Sequence, residues 1–228
     1  MNSAELEAFV AEHGATLIEE EALAVLANRF CTPATAQKIA SEQRLTSYYT
    51  VRAALVRSRA TPLAHAQKFV HHLYWRELLK FSTETTIPAP VRRAIDTQML
   101  VRLPKITLGE KITAARVCSR ELIKALLNDP SPRVFEALMV NPRLLESDIL
   151  THIGAGRATA LQLGIIGSSP KWSYRYPIRL ALVRNPETPR AVAASQLRFI
   201  SKHDRAQIAR LPGTSRYLRM CIERMGGS

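Results

Sequence analysis

Apolar residues along the chain gather in short groups set three or four positions apart. From Glu19 to Arg29, Leu23, Val25 and Leu26 make such a stripe, the spacing that collects side chains on one face of a helix. No stretch of four or more residues alternates apolar and polar positions between turn signals, and no Asn-Gly or Asp-Gly pair offers a hairpin. The pattern therefore predicts an all-α chain. Thr32-Pro33, Thr61-Pro62 and Thr188-Pro189 each place a capping hydroxyl before a proline at the first helical position, where no N–H is needed. Thr16 with Glu19 three residues on reads as a capping box, and Gly14 stops the helix before it. A proline in mid-helix costs about 3 kcal/mol. The 13 prolines therefore belong at helix ends, and the helices they bound are expected to be short, roughly eight to thirteen residues.

The chain also repeats itself. A shift of 127 positions lays Tyr49, Arg52, Ala54, Leu55, Val56, Arg57, Thr61, Pro62, Ala64 and Ala66 on Tyr176, Arg179, Ala181, Leu182, Val183, Arg184, Thr188, Pro189, Ala191 and Ala193, ten identities in eighteen positions. Weaker matches run from Leu23 with Leu150 to Ile95 with Ile222. The expected copies are about 23–95 and 150–222, linked by repeats over 96–149. A smaller unit recurs as Ala125-Leu126-Leu127-Asn128-Asp129-Pro130, Ala137-Leu138-Met139-Val140-Asn141-Pro142 and Ala181-Leu182-Val183-Arg184-Asn185-Pro186. Short amphipathic helices at recurrent spacing close a core by stacking on their neighbours. The expectation is a right-handed α-solenoid of helical hairpins over 41–228, one continuous domain, with residues 1–40 as an N-terminal helical cap.

Asp129-Pro130-Ser131-Pro132-Arg133, followed by Ala137-Leu138 and Asn141-Pro142, resembles the repeat grammar of bacterial leucine-rich repeat variant and HEAT-like proteins. That resemblance implies a fold, and it implies no activity. Two departures stand out: Ser58-Arg59 replaces Asn185-Pro186 in the first copy, and the cysteine cluster that holds an iron–sulfur centre beside some such repeats is missing. No cofactor is carried over. HEAT-like solenoids are also similar to certain alkylpurine DNA glycosylases, but that family's catalytic acid and aromatic cluster match no positions of this chain.

Charge adds a second level of order. Of 228 residues, 32 are Lys or Arg and 19 Asp or Glu, a net charge of +13. Residues 1–40 carry −4, 41–105 carry +7, 106–170 carry +1 and 171–228 carry +9. The N-terminus is thus an acidic cap and the basic excess falls in the two copies. With 46% hydrophobic residues, the chain has enough apolar material for a sizeable core. No apolar run reaches a membrane-spanning length, and Glu5, Glu7 and Glu12 stand where a signal or transit peptide would be basic. A cytoplasmic protein is expected, and Cys31, Cys118 and Cys221 are expected as buried thiols rather than a disulfide framework.

The chemistry-bearing motifs are few. Gly154-Ala155-Gly156-Arg157 lacks both the preceding strand and the later glycine of a dinucleotide loop, since Thr159 stands there, and reads as an inter-helix turn. His65, His71 and His72 have few carboxylates near them and read as a helix face beside Tyr74 and Trp75. Cys118-Ser119 reads as core plus N-cap, and Glu146 and Asp148 fall on different helix faces. No catalytic or metal-ligating residue is assigned. Candidate macromolecule-binding residues are Arg52, Arg57, Arg179 and Arg184, which recur between the copies, with Lys171 and Arg175 beside Trp172, Tyr174 and Tyr176. An arginine stripe made by repetition suits a phosphate backbone. Arginines repeated within a solenoid also serve its framework, bonding turn carbonyls and acids of the neighbouring repeat. Trp172 aligns with Leu45 and is expected in an apolar slot. The expected function is a non-catalytic scaffold or adaptor binding another macromolecule, protein first, with DNA or RNA as the alternative partner.

Overall fold

The computed structural model describes residues 2–226; Met1, Gly227 and Ser228, at the ends of the expected segments, lie outside them. The chain is all-helical: the described residues contain seventeen α-helices, one short 3-10 turn and no strand. It divides into two compact units, Met1–Ile106 and Thr107–Ser228. The first holds α1 (Ser3–His13), α2 (Glu19–Ala27), α3 (Pro33–Ser41), α4 (Gln43–Ser47), α5 (Tyr49–Arg57), α6 (Leu63–Val70), α7 (Trp75–Ser82) and α8 (Ala89–Arg102). The second holds α9 (Leu108–Val117), α10 (Arg120–Leu126), α11 (Pro132–Met139), α12 (Glu146–Gly154), α13 (Ala160–Ser168), α14 (Tyr176–Arg184), α15 (Arg190–Leu197), α16 (Lys202–Arg210) and α17 (Arg216–Gly226).

In the second unit α9, α11, α13, α15 and α17 pack each on the next, while α12, α14 and α16 form a second row against them. Val183, Ala193, Leu197, Ile200, Ile208, Leu218 and Ile222 make one core cluster of this unit. In the first unit α1 packs on α3, α2 on α5, α5 on α6, and α8 on α6 and α7. The acidic segment 1–40 thus lies inside this unit, with Leu6, Val10, Ala22 and Ile39 buried. Under the 127-residue shift, α2, α3, α5 and α6 coincide with α12, α13, α14 and α15 at both ends, and α7 and α8 begin where α16 and α17 begin. Tyr49 Oη accepts the Tyr74 N–H at 3.1 Å and Tyr176 Oη the Ser201 N–H at 3.2 Å, again 127 positions apart.

The joints share one device. The side-chain oxygens of Asn28, Ser58, Asp129, Asn141 and Asn185 each accept the N–H two residues on, at 2.8–3.3 Å, closing a turn that the backbone alone would leave unsatisfied. Ser58 therefore does the work of Asn185 despite the change in sequence. Asn141 and Asn185 reach further, donating from their amides to Ala115 O at 2.8 Å and Ile153 O at 3.3 Å. These carbonyls sit at the ends of α9 and α12, where helices leave acceptors open.

Four details of the local expectations change. Helix lengths run from 5 residues in α4 to 14 in α8. Thr32 caps α3 as expected, accepting the Thr35 N–H at 3.3 Å. Thr61 and Thr188 do not cap: the chain stays extended through Pro62 and Pro189, whose own carbonyls take the first helical N–H groups, and both threonine hydroxyls are buried without a hydrogen-bond partner. The Thr16–Glu19 box does not form either. Thr16 Oγ1 donates to His13 O, and α2 instead begins with Glu21 accepting the Ile18 N–H at 3.0 Å. Cys118 is buried, but Cys31 and Cys221 are half-buried.

Candidate functional site

Many of the basic side chains are engaged by the protein's own backbone and acids. Helix C-termini and the turns that follow them leave backbone carbonyls open, and at several joints a cation reaches back to such a carbonyl. Arg44 bonds Leu17 O, Arg143 bonds Val117 O at 3.1 Å, Lys171 bonds Asn141 O at 3.0 Å, and Arg102 bonds Leu73 O at 2.6 Å. Arg44 and Lys171 are equivalent under the 127-residue shift. A second set joins neighbouring helices through acids: Arg120 with Asp148 at 2.9 Å, Arg175 with Glu146 at 2.7 Å and Arg184 with Asp204 at 3.7 Å.

The six candidate residues fall into this pattern in different ways. Arg52 donates to Ser47 O at 3.2 Å, and its partner Arg179 to Ser173 O at 2.7 Å. Arg57 pairs with Glu84 at 2.7 Å, and its partner Arg184 reaches Gln207 at 3.2 Å as well as Asp204. Burial pushes the Glu84 carboxyl up, but hydrogen bonds from Arg57 and Thr86 and the charges of Arg57 and Lys80 outweigh it and hold the group below its ordinary value. Asp204 is likewise held low, by hydrogen bonds from Tyr176 and Ser201. Arg52 and Arg57 lie in the first unit, and Arg184 closes the C-terminal end of α14.

Lys171, Arg175 and Arg179 come together at the start of α14. Trp172 is 2% exposed, donates its indole N–H to Met139 O at 2.8 Å, and carries Lys171 at 4.6 Å and Arg175 at 5.0 Å from its ring. It fills the apolar slot expected from its alignment with buried Leu45. Burial lowers the Lys171 pKa, and the neighbouring Arg175 charge lowers it further. Next to this pair Tyr174 is 59% exposed, and Phe199 is 42% exposed with Arg179 at 3.8 Å and Arg198 at 4.6 Å from its ring. Arg179 thus links the Lys171–Arg175 loop to the α15–α16 joint. Phe199 and Arg198 carried no signal in the sequence, because His72 and His71, their equivalents under the shift, belong to a different chemistry.

The remaining motifs resolve into structure. Gly156 has φ +66°, a left-handed turn residue after α12, and Thr159, which breaks the dinucleotide pattern, caps α13 with Gln162. Glu146 and Asp148 face different arginines. Cys118 is core and Ser119 takes the N-cap position of α10. Buried His152, which sequence reasoning passed over, lies 3.1 Å from Gln162 Oε1 and against Phe135. Among the described residues no group of three His, Cys, Asp or Glu side chains could hold a metal ion, and no helix is long and apolar enough to cross a membrane. Comparison of the chain with protein-family models, with curated proteins and with solved structures finds no match.

Proposed function

We propose that the chain is a non-catalytic α-solenoid, built by duplication of a block of helical hairpins and similar to bacterial HEAT-like and leucine-rich repeat variant proteins, that works in the cytoplasm as a scaffold binding another protein. The solenoid reading is supported by the coincidence of helix ends at an offset of 127 and by the two rows of alternating helices in the second unit. The observation that carries the binding reading is the edge formed by Tyr174, Arg175, Arg179, Arg198 and Phe199, where exposed aromatic rings lie against guanidinium groups, two of which, Arg175 and Arg179, are themselves anchored on Glu146 and Ser173 O. Tyr and Arg are enriched among the side chains that carry binding energy at protein interfaces, and side chains already anchored lose less entropy on binding.

The net charge of +9 over residues 171–228 favours a second reading, nucleic-acid binding at the same edge. A photocrosslinking residue in place of Tyr174 separates the two in the native cell. The expected result is covalent capture of one defined protein, lost when Phe199→Ser and Arg198→Gln are added to a chain that melts unchanged. Capture of nucleic acid selects the second reading. No defined adduct of either kind refutes both.

A further inference from the structure

Four consecutive helices of one row in the second unit each expose an apolar side chain at the same end. Val117 closes α9, Val140 follows α11, Tyr174 lies in the turn after α13 and Phe199 in the turn after α15. Val117 is 47% and Val140 64% exposed, as open as the two aromatic rings. Hydrogen bonds lay these helix ends side by side. Arg143 reaches back to Val117 O at 3.1 Å, and from the turn after α13 Lys171 reaches Asn141 O at 3.0 Å and Trp172 reaches Met139 O at 2.8 Å. Arg179 bonds Ser173 O at 2.7 Å and lies 3.8 Å from the Phe199 ring. The four side chains thus form one ridge.

The framework does not require that ridge. The shift of 127 lays Val140, Tyr174 and Phe199 on His13, Ser47 and His72, so the first unit folds with polar residues in those places. Arg143, Arg175 and Arg198 likewise fall on Thr16, Tyr48 and His71, whereas Lys171 and Arg179 fall on bases, Arg44 and Arg52. Single exposed apolar residues are ordinary, but a contiguous line of them marks an interaction surface. The ridge is also positive. Arg175 meets an acid, Glu146. Arg143, Lys171 and Arg179 bond backbone carbonyls, which leave their formal charge uncompensated, and Arg198 lies over Phe199 with no acid partner among the described residues.

We infer that the ridge binds an extended acidic segment of a partner polypeptide, held in the polyproline II conformation with an apolar residue at every third position. The inference rests on the protein-binding reading above and carries its edge from Tyr174 and Phe199 on to Val140 and Val117. Packed helices lie about 8–10 Å apart. A polyproline II chain returns a side chain to the same face every three residues, about 9 Å along its axis, so successive apolar residues meet successive helix ends. A β-strand returns one every two residues, about 7 Å, and falls out of step with the helices. The uncompensated cations between the apolar positions select acids at the intervening residues of the partner. Val117 and Val140 carry neither a ring for a base to stack on nor a donor for a phosphate, so the ridge suits a polypeptide rather than a nucleic acid.

The test is fluorescence anisotropy of a labelled peptide, Leu-Pro-Glu repeated four times, titrated with the full chain. Its controls are a peptide of the same composition with the leucines at alternate positions, a peptide with Lys for every Glu, and an oligothymidylate of equal length. The expected result is saturable binding of the first peptide at a Kd below about 100 μM, with both control peptides at least about tenfold weaker. Val140→Ser, a change on an exposed side chain, weakens binding about three- to tenfold in a protein that melts unchanged. His13→Ser, at the equivalent place in the first unit, leaves binding as it was. No saturable binding of the first peptide overturns the inference, as does equal binding of the rearranged peptide or undiminished binding to Val140→Ser. Displacement of the peptide by oligothymidylate at lower concentration overturns it in favour of nucleic acid. Any of the first three failures, combined with protein capture at Tyr174, removes the acidic ligand and leaves the scaffold standing.

Discussion

Asn141 provides the sharpest test of the joint that holds the helices in register. Its side chain is fully buried, with the amide on Ala115 O at 2.8 Å and the carbonyl on the Arg143 N–H at 2.8 Å. Asn141→Leu roughly keeps the volume, leaves the Asn141 amide's acceptor Ala115 O buried and unpaired, at about 1–3 kcal/mol, and takes its partner from the part-buried Arg143 N–H, at about 1 kcal/mol or more. The extra apolar burial of leucine returns about 1–2 kcal/mol. The net expectation is a loss of about 2–4 kcal/mol, a large share of the 5–15 kcal/mol that typically separates folded from unfolded domains. Urea unfolding followed by tryptophan fluorescence suits the measurement, because Trp172 bonds Met139 O two residues away. Asn185→Leu is the internal control. Asn185 is half-buried and its amide bond is longer, 3.3 Å, so about 1–2 kcal/mol is expected there. A loss below about 1 kcal/mol for Asn141→Leu, or equal losses at the two sites, would refute the reasoning.

Other substitutions probe packing and charge. Trp172→Leu, which gives the second unit the residue of the first, should cost about 3–5 kcal/mol through the cavity and the freed Met139 carbonyl, read as a shift of the urea midpoint. Gly164 has open space about its missing Cβ, so Gly164→Ala should stabilise by about 0.5–1 kcal/mol through helix propensity. At Gly167 an added Cβ would lie 2.4 Å from Val192 Cγ1, and Gly167→Ala should lower the melting temperature instead. Glu84 and Asp204 are held below their ordinary values, so each stabilises the fold at neutral pH and loses that contribution as the pH falls below about 4 towards the lowered values. Thermal melts between pH 6 and 3 should therefore drop more shallowly for Arg57→Gln and Tyr176→Phe than for the unaltered chain.

How much of this was legible in the sequence differs from element to element. The all-α character followed from the absence of period-two alternation, and the offset of 127 marked helix ends later found in register, because identical capping and apolar residues start and stop helices at the same places. The Thr-Pro caps misled at Thr61 and Thr188 because a proline can stay extended and hold the N-cap itself, a choice of ψ that the dipeptide does not encode. Thr16 misled because its hydroxyl had a nearer acceptor in His13 O. At the candidate site, the recurrence of Arg52, Arg57, Arg179 and Arg184 was visible. Their partners were not, since Arg57 meets Glu84 and Arg184 meets Asp204 only through packing of helices some twenty residues apart. Phe199 escaped notice because its equivalent in the first copy is His72, so the duplication did not mark it.

The central claim is that the recurring arginines hold the helical framework rather than a phosphate backbone. Affinity for labelled duplex DNA, single-stranded DNA and RNA at two salt concentrations, compared between the unaltered chain and a variant with Arg52, Arg57, Arg179 and Arg184 changed to Gln, tests it directly. The account predicts binding in the non-specific range, about 1–100 μM near physiological salt, equal in the two proteins, while the variant melts at a lower temperature. Sub-micromolar binding with a steep salt dependence, lost in a variant whose melting is unchanged, would contradict it.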